Sequence, residues 1–178
     1  VQNCPKYCNL NLTRNDIFDV NLLSALTNLT DLSLAINQII DVSPLAGLTN
    51  LTTLRLTSNR IIDVSPLTSL TNLTVLELFS NQIRDVSPLV GLTNLTELLL
   101  NDNQISNVRP LMALANLTRL LLSRNPLSYD SINTYIPTLE NILDRDARIS
   151  FTSRVPTTLT NFSGDAQIGD ATTTLPSP

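Results

Sequence analysis

The chain has 178 residues, 42% of them apolar and only 15% charged, and carries a net charge of −4. That length suits one domain with a sizeable core, and a single lysine, Lys6, with arginines scattered along the chain leaves no basic stripe to neutralise a phosphate backbone, so nucleic acid is not an expected partner. The absence of histidine removes the commonest general base and the commonest transition-metal ligand, and apolar runs of only a few residues, such as residues 98–100, do not span a bilayer, so catalysis, a metal or other cofactor, and membrane insertion are all unexpected.

The chain opens with Val1 and not Met, as expected of a mature product or a cut piece whose signal peptide is out of view. Its two cysteines, Cys4 and Cys8, stand close together at this end with no zinc or redox spacing, which leaves a local disulfide or two capping thiols. From residue 26 the sequence repeats. Residues 26–47, 48–69, 70–91 and 92–113 align without a gap; a degenerate copy, residues 4–25, precedes them, and another follows from Leu114 and changes character after Pro126.

Within a unit, the alternation at Leu51, Leu54 and Leu56 predicts a short strand with its leucines on one face. So short a strand cannot hide that face alone; stacking successive units about 4.8 Å apart as a parallel ladder makes the core continuous. An asparagine follows each strand (Asn15, Asn37, Asn59, Asn81, Asn103, Asn125), and its amide offers donors and an acceptor to backbone groups that the turn would strand, so these six are expected to form a structural ladder with no ligand role. The return path supplies a second apolar set, Ile61, Val64 and Leu67 in the third unit. There Ser65 is expected to cap a short helical turn with Pro66 at its first position.

The pattern Leu-x-x-Leu-x-Leu-x-x-Asn-x-Ile, starting at Leu29, Leu51, Leu73 and Leu95, resembles the leucine-rich repeat in the short class of bacterial internalins, over about residues 4–127. The resemblance implies an α/β repeat solenoid with a curved parallel β-sheet on the concave face and short 3-10 or irregular turns on the convex face. It also implies protein binding as the usual work of the concave side.

Terminal units have to cap the exposed ends of such a stack. At the front, residues 4–25 are the N-terminal cap repeat, in which Tyr7 and Cys8 replace the usual Leu and Thr and a Cys4–Cys8 bond would pin the first turn. At the back, residues 128–147 are read as a helical cap, with Ser128 at its start, Ile132, Tyr135 and Ile136 on one face, and a break at Pro137. The run Asn125-Pro126-Leu127 and the Ser131 to Pro137 stretch resemble the closing segment of bacterial leucine-rich-repeat proteins. The solenoid is thus expected to occupy residues 4–147. Residues 148–178, rich in Thr, Ser and Pro, are read as a linker or the start of a truncated following domain; the stretch from Pro156 to Leu175 is similar to the opening of invasin-type bacterial immunoglobulin-like domains.

Stacking sorts the solvent-facing strand positions into three columns: Asn9, Asp31, Thr53, Val75, Glu97, Arg119; then Asn11, Ser33, Arg55, Glu77, Leu99, Leu121; then Thr13, Ala35, Thr57, Phe79, Asn101, Ser123. In the second half Val75, Phe79, Leu99 and Leu121 place apolar side chains where the repeat leaves room for polar ones, with Arg55, Glu77, Glu97 and Arg119 around them, as in an interaction hot spot. These eight residues are the candidate partner-binding set. Arg55 with Glu77 and Glu97 with Arg119 stand one unit apart and are expected to act in partner selection by charge complementarity. Glu77 and Glu97 sit on an open face without a cleft to part their pKa values, so a general acid and base pair is not expected. Asp41, Asp63 and Asp85 stand alone in their units and fit capping of the Ser-Pro turn better than calcium. Of seven Asn-x-Thr/Ser triplets (Asn11, Asn28, Asn50, Asn72, Asn94, Asn116, Asn161), five are products of the repeat itself.

The functional expectation is a monomeric, extracellular or cell-surface recognition module that binds a protein through the concave face. The alternative is a structural spacer or self-associating adhesin segment, with carbohydrate binding a minor third.

Overall fold

Alternating leucines place every second side chain on one face of an extended strand, and the repeat delivers the next such strand at the same height. The computed structural model describes residues 8–142 and 148–151. Among them are seven three-residue strands, β1 (Asn9–Asn11), β2 (Asp31–Ser33), β3 (Thr53–Arg55), β4 (Val75–Glu77), β5 (Glu97–Leu99), β6 (Arg119–Leu121) and β7 (Arg148–Ser150), which form one parallel sheet in chain order. Leu10, Leu32, Leu54, Leu76, Leu98, Leu120 and Ile149 cross that sheet as a single row. From Leu32 to Leu120 the row is completely buried, and each such leucine contributes roughly 1.5–3 kcal/mol relative to one left in water.

The return path is a series of 3-10 turns, Asn21–Ala25, Ser43–Leu45, Ser65–Ser69, Ser87–Gly91 and Arg109–Ala113, the last four with proline near the start. Ile61, Val64 and Leu67 and their counterparts are buried against the strand leucines in one continuous core. The serine does not cap the turn. Asp63 does: its Oδ1 accepts the Ser65 N–H at 2.8 Å and its Oδ2 accepts the Ser65 hydroxyl at 2.8 Å, an arrangement shared by Asp85 with Ser87. A side chain two residues ahead reaches an unsatisfied N–H at the start of the turn more readily than a serine whose hydroxyl is already donating to that same carboxylate.

Two amide ladders tie the units together. Asn81 Nδ2 donates to the carbonyls of Leu56 in the preceding unit and Leu78 in its own, both at 3.0 Å, and its Oδ1 accepts the Ile61 N–H at 3.0 Å. Asn59, Asn103 and Asn125 repeat this pattern, and Asn37 accepts from both Asn15 and Ile17. Asn15 itself is exposed, and among the described residues its amide reaches only the Thr13 carbonyl. The second ladder uses the repeat-derived triplets: Asn50, Asn72, Asn94 and Asn116 donate Nδ2 to the carbonyls of Thr27, Thr49, Thr71 and Thr93. Their amides belong to the inter-unit scaffold, which is a physical reason for this triplet to recur.

The back end departs from expectation in two places. Ser128 Oγ accepts the Ser131 N–H, but the chain does not break at Pro137: a π-turn, Ser131–Tyr135, runs directly into helix α1 (Ile136–Ile142). The Ile136 N–H donates to the Ser131 carbonyl five residues back, and this widened turn absorbs the disruption that a proline one position later brings to a regular helix. The buried Ser131 hydroxyl donates to the Ser106 carbonyl and accepts the Val108 N–H, which anchors this segment on the return path of the preceding unit and away from the open face of the sheet. The second departure is the boundary at residue 148. Arg148–Ser150 are no linker but β7, paired with β6, where Leu122 N–H donates to the Ser150 carbonyl at 2.7 Å. An edge strand with unpaired backbone groups is satisfied by one further strand, and Ile149 continues the leucine row to supply it. Residues 143–147 and 152–178, with the immunoglobulin-like resemblance and Asn161, lie outside the described residues.

At the front, Cys8 is buried and disulfide-bonded. Cys4, the chain's other cysteine, lies outside the described residues.

Candidate functional site

Alternation sends Leu54 into the core and turns Thr53 and Arg55 outward, so the open face of the sheet carries the three columns of side chains in register. In the first column Thr53 is buried, Val75 and Glu97 are half-buried, and Arg119 is exposed. The second column forms two distinct environments. Arg55 Nε donates to Glu77 Oε1 at 3.0 Å, and next to this pair Leu99 keeps only 6% of its surface exposed, with half-buried Leu121 on its other side.

Leu99 was expected to project as part of an exposed patch, and it does not. Parallel strands about 4.8 Å apart pack equivalent side chains against one another along a column, and a leucine between a glutamate stem and a second leucine is covered on both sides. It is absent from the main core and lies on the open face between Glu77 and Leu121. Val75, Phe79 and Leu121 stay half-buried around it and offer the accessible apolar surface.

The third column places Phe79 between Thr57 and Asn101. Thr57 is 6% exposed, and both its hydroxyl and the Asn101 Oδ1 are buried with no hydrogen-bond partner among the described residues. Polar atoms left in that state are uncommon in folded proteins. The outward positions of a repeat that reads Thr, Phe, Asn over three units carry no sequence signal for this.

Both charge pairs form: Arg119 Nη1 donates to Glu97 Oε1 at 2.6 Å, alongside Arg55 with Glu77. A third pair went unread. Arg124 Nη1 donates to Asp102 Oδ1 at 3.2 Å across the same one-unit step, in the turns just after the strands, and the spacing used for the other two would have found it. All three are solvent-accessible, so each adds about 0–1 kcal/mol to stability. Glu77 and Glu97 are each committed to an arginine and stand in different columns, which gives them no shared substrate position. No group of three or more His, Cys, Asp or Glu able to hold a metal occurs among the described residues, and no helix there is long and apolar enough to cross a membrane. Asp41 is held below the usual carboxylate range by the Ser43 hydroxyl first and the Ser43 N–H second, as a capping carboxylate would be.

Comparisons with known proteins agree with the repeat fold. Residues 49–91 match the family described as Leucine Rich repeats (2 copies). Among solved structures the chain is 36% identical to an internalin (inlF) of Listeria monocytogenes str. 4b F2365, covering 82% of this chain and 43% of that one with a TM-score of 0.72. It is also 36% identical to internalin C2 (inlC2) of the same strain, covering 79% of this chain and 69% of that one at a TM-score of 0.65. The chain belongs to the internalin-type leucine-rich-repeat proteins. A leucine-rich-repeat protein of Leptospira interrogans shares the fold at 29% identity, with a TM-score of 0.70 and 80% of this chain covered against 36% of that one. The chain therefore spans less than half the length of two of these three relatives. A comparison with curated proteins returns no match. The internalin-type solenoid is a protein-interaction scaffold, and within this chain the outward columns described above differ from unit to unit.

Proposed function

We propose that this internalin-type solenoid binds a protein partner through the open sheet face of its back half, as the recognition module of a bacterial surface or secreted protein. The observation that carries the reading is the cluster of half-buried Val75, Phe79 and Leu121 over Leu99, apolar side chains at positions that the fold leaves to solvent. Arg55, Glu77, Glu97 and Arg119 rim the cluster in paired form. A small apolar centre within a polar, water-excluding rim is the arrangement from which a few residues supply most of a binding energy. The disulfide at Cys8 supports an oxidising, extracytoplasmic location, and the module works as a monomer and performs no chemistry.

Phe79→Ala tests the reading. Affinity for a cognate partner should fall by about 2 kcal/mol or more, with little change in melting temperature; unchanged affinity rejects the face.

One observation favours the alternative of a self-associating segment. Phe18, Ile40 and Ile62 occupy equivalent positions along one edge of the first three units, and Phe18 is 77% exposed. Backbone bonds from Gln38 to Ile17 and from Arg60 to Ile39 hold these positions in line. Analytical ultracentrifugation separates the readings: mass rising with concentration, and reverting in Ile40→Ser, selects self-association.

A further inference from the structure

On the reading that the back half of the open face is the contact surface, we propose that the segment it takes is an apolar stretch of polypeptide without net charge, which delivers an N–H donor beside Phe79. Six charges on and beside this half of the face are engaged with one another, and Arg148 of β7 stands past them, next to Arg119 at the far edge of the sheet. Arg55 with Glu77, Arg119 with Glu97 and Arg124 with Asp102 each close across neighbouring units. A charged side chain arriving here competes with a partner in place and has to open a formed pair, whereas an apolar one meets Val75, Phe79 and Leu121 with nothing to displace. Opposite charges about 3 Å apart also cancel at a distance, so they give little long-range steering. This revises the expectation that these four charges select the partner: their pairing keeps the rim neutral.

The donor follows from the third column. Thr57 Oγ1 and Asn101 Oδ1 are buried without hydrogen-bond partners among the described residues, one unit before and one unit after Phe79. An amide oxygen can only accept, and a threonine hydroxyl accepts as well as donates. A partner N–H that reaches either oxygen satisfies an acceptor that has no hydrogen-bond partner among the described residues, a gain that a purely apolar surface does not offer. Extended polypeptide presents N–H groups next to its apolar side chains, and that combination matches Phe79 with Asn101.

Panning a short random-sequence peptide display library on the immobilised full chain supplies the probe. Selected peptides are synthesised and titrated against the wild type, Phe79→Ala and Asn101→Leu from about 0.05 to 0.5 M salt, with melting curves to confirm that each variant is folded. The expected peptides are apolar and without net charge, and bind with an affinity that changes less than about twofold over that salt range. Binding is lost in Phe79→Ala and weakened about tenfold in Asn101→Leu. Peptides that depend on Phe79 but carry net charge and lose affinity about tenfold or more with salt overturn the neutral-segment proposal and leave the face standing. Full affinity in Asn101→Leu overturns the donor, and selection of no Phe79-dependent peptide overturns the face itself.

Discussion

The front half of the solenoid, β1 to β3, and the back half, β4 to β6, share one core and differ in where apolar side chains reach water. In the front half the open face carries Asn9, Asp31, Asn11 and Ser33, while the edge carries Phe18, Ile40 and Ile62. In the back half the face carries Val75, Phe79, Leu99 and Leu121, and the edge positions equivalent to Ile40 are Arg84 and Ser106. Buried positions hardly vary between the halves because every unit meets the same neighbours above and below; outward positions meet solvent and are free to diverge. Surface character is therefore independent of fold within one chain.

The comparison predicts which substitutions act alike in both halves and which do not. The largest effect belongs to the shared ladder: Asn59→Ala and Asn103→Ala each leave buried carbonyls and one N–H unpaired and should cost about 3 kcal/mol or more of unfolding free energy, equally in either half. Urea titration measures it, and a cost below about 1 kcal/mol in one half would show that the ladder is not shared. Next comes a contrast within one column. Leu99→Ala should destabilise by about 2–3 kcal/mol because it empties the floor of the back-half cluster, while Ser33→Ala at the same position of the front half should stay within about 0.5 kcal/mol. Equal costs would mean that Leu99 is not the packed floor.

A gain of about 1 kcal/mol is expected from Ile36→Asn. Ile36 holds φ +56 at the position before the ladder asparagine, where other units place Ser58, Ser80 and Asp102. A β-branched residue is disfavoured in that left-handed conformation and asparagine tolerates it; Ile36 is 43% exposed, so the exchange forfeits little burial. Thermal melting checks the sign. The smallest effect is at Asp41. Its carboxyl ionises more readily folded than unfolded, so its contribution is present above the usual aspartate range and is lost as pH falls through the lowered folded value. Denaturant midpoints of wild type and Asp41→Asn should therefore differ slightly near neutrality and converge in acid.

Much of this was legible in the residues. The leucine rows, the asparagine ladder, the aspartates near the Ser-Pro turns and the two ion pairs follow from a repeat without gaps, because identical spacing puts identical positions in contact. What escaped sequence reading lay where the repeat stops or where side-chain packing decides. β7 uses Ile149 after a longer excursion than the repeat allows, and Pro137 is absorbed by a π-turn that no spacing rule anticipates. Leu99 reads as surface by position and is covered by Glu77 and Leu121, a matter of how three side chains fill one column.

The order of units, the parallel register, the row of buried leucines and the identity of the outward columns were determined by the sequence alone, since a strict period leaves the chain one way to stack. The tertiary structure decided how deep each outward side chain sits, which charges neutralise one another and which polar atoms lose water. Those properties depend on neighbours that lie one full unit away along the chain and within van der Waals contact in space.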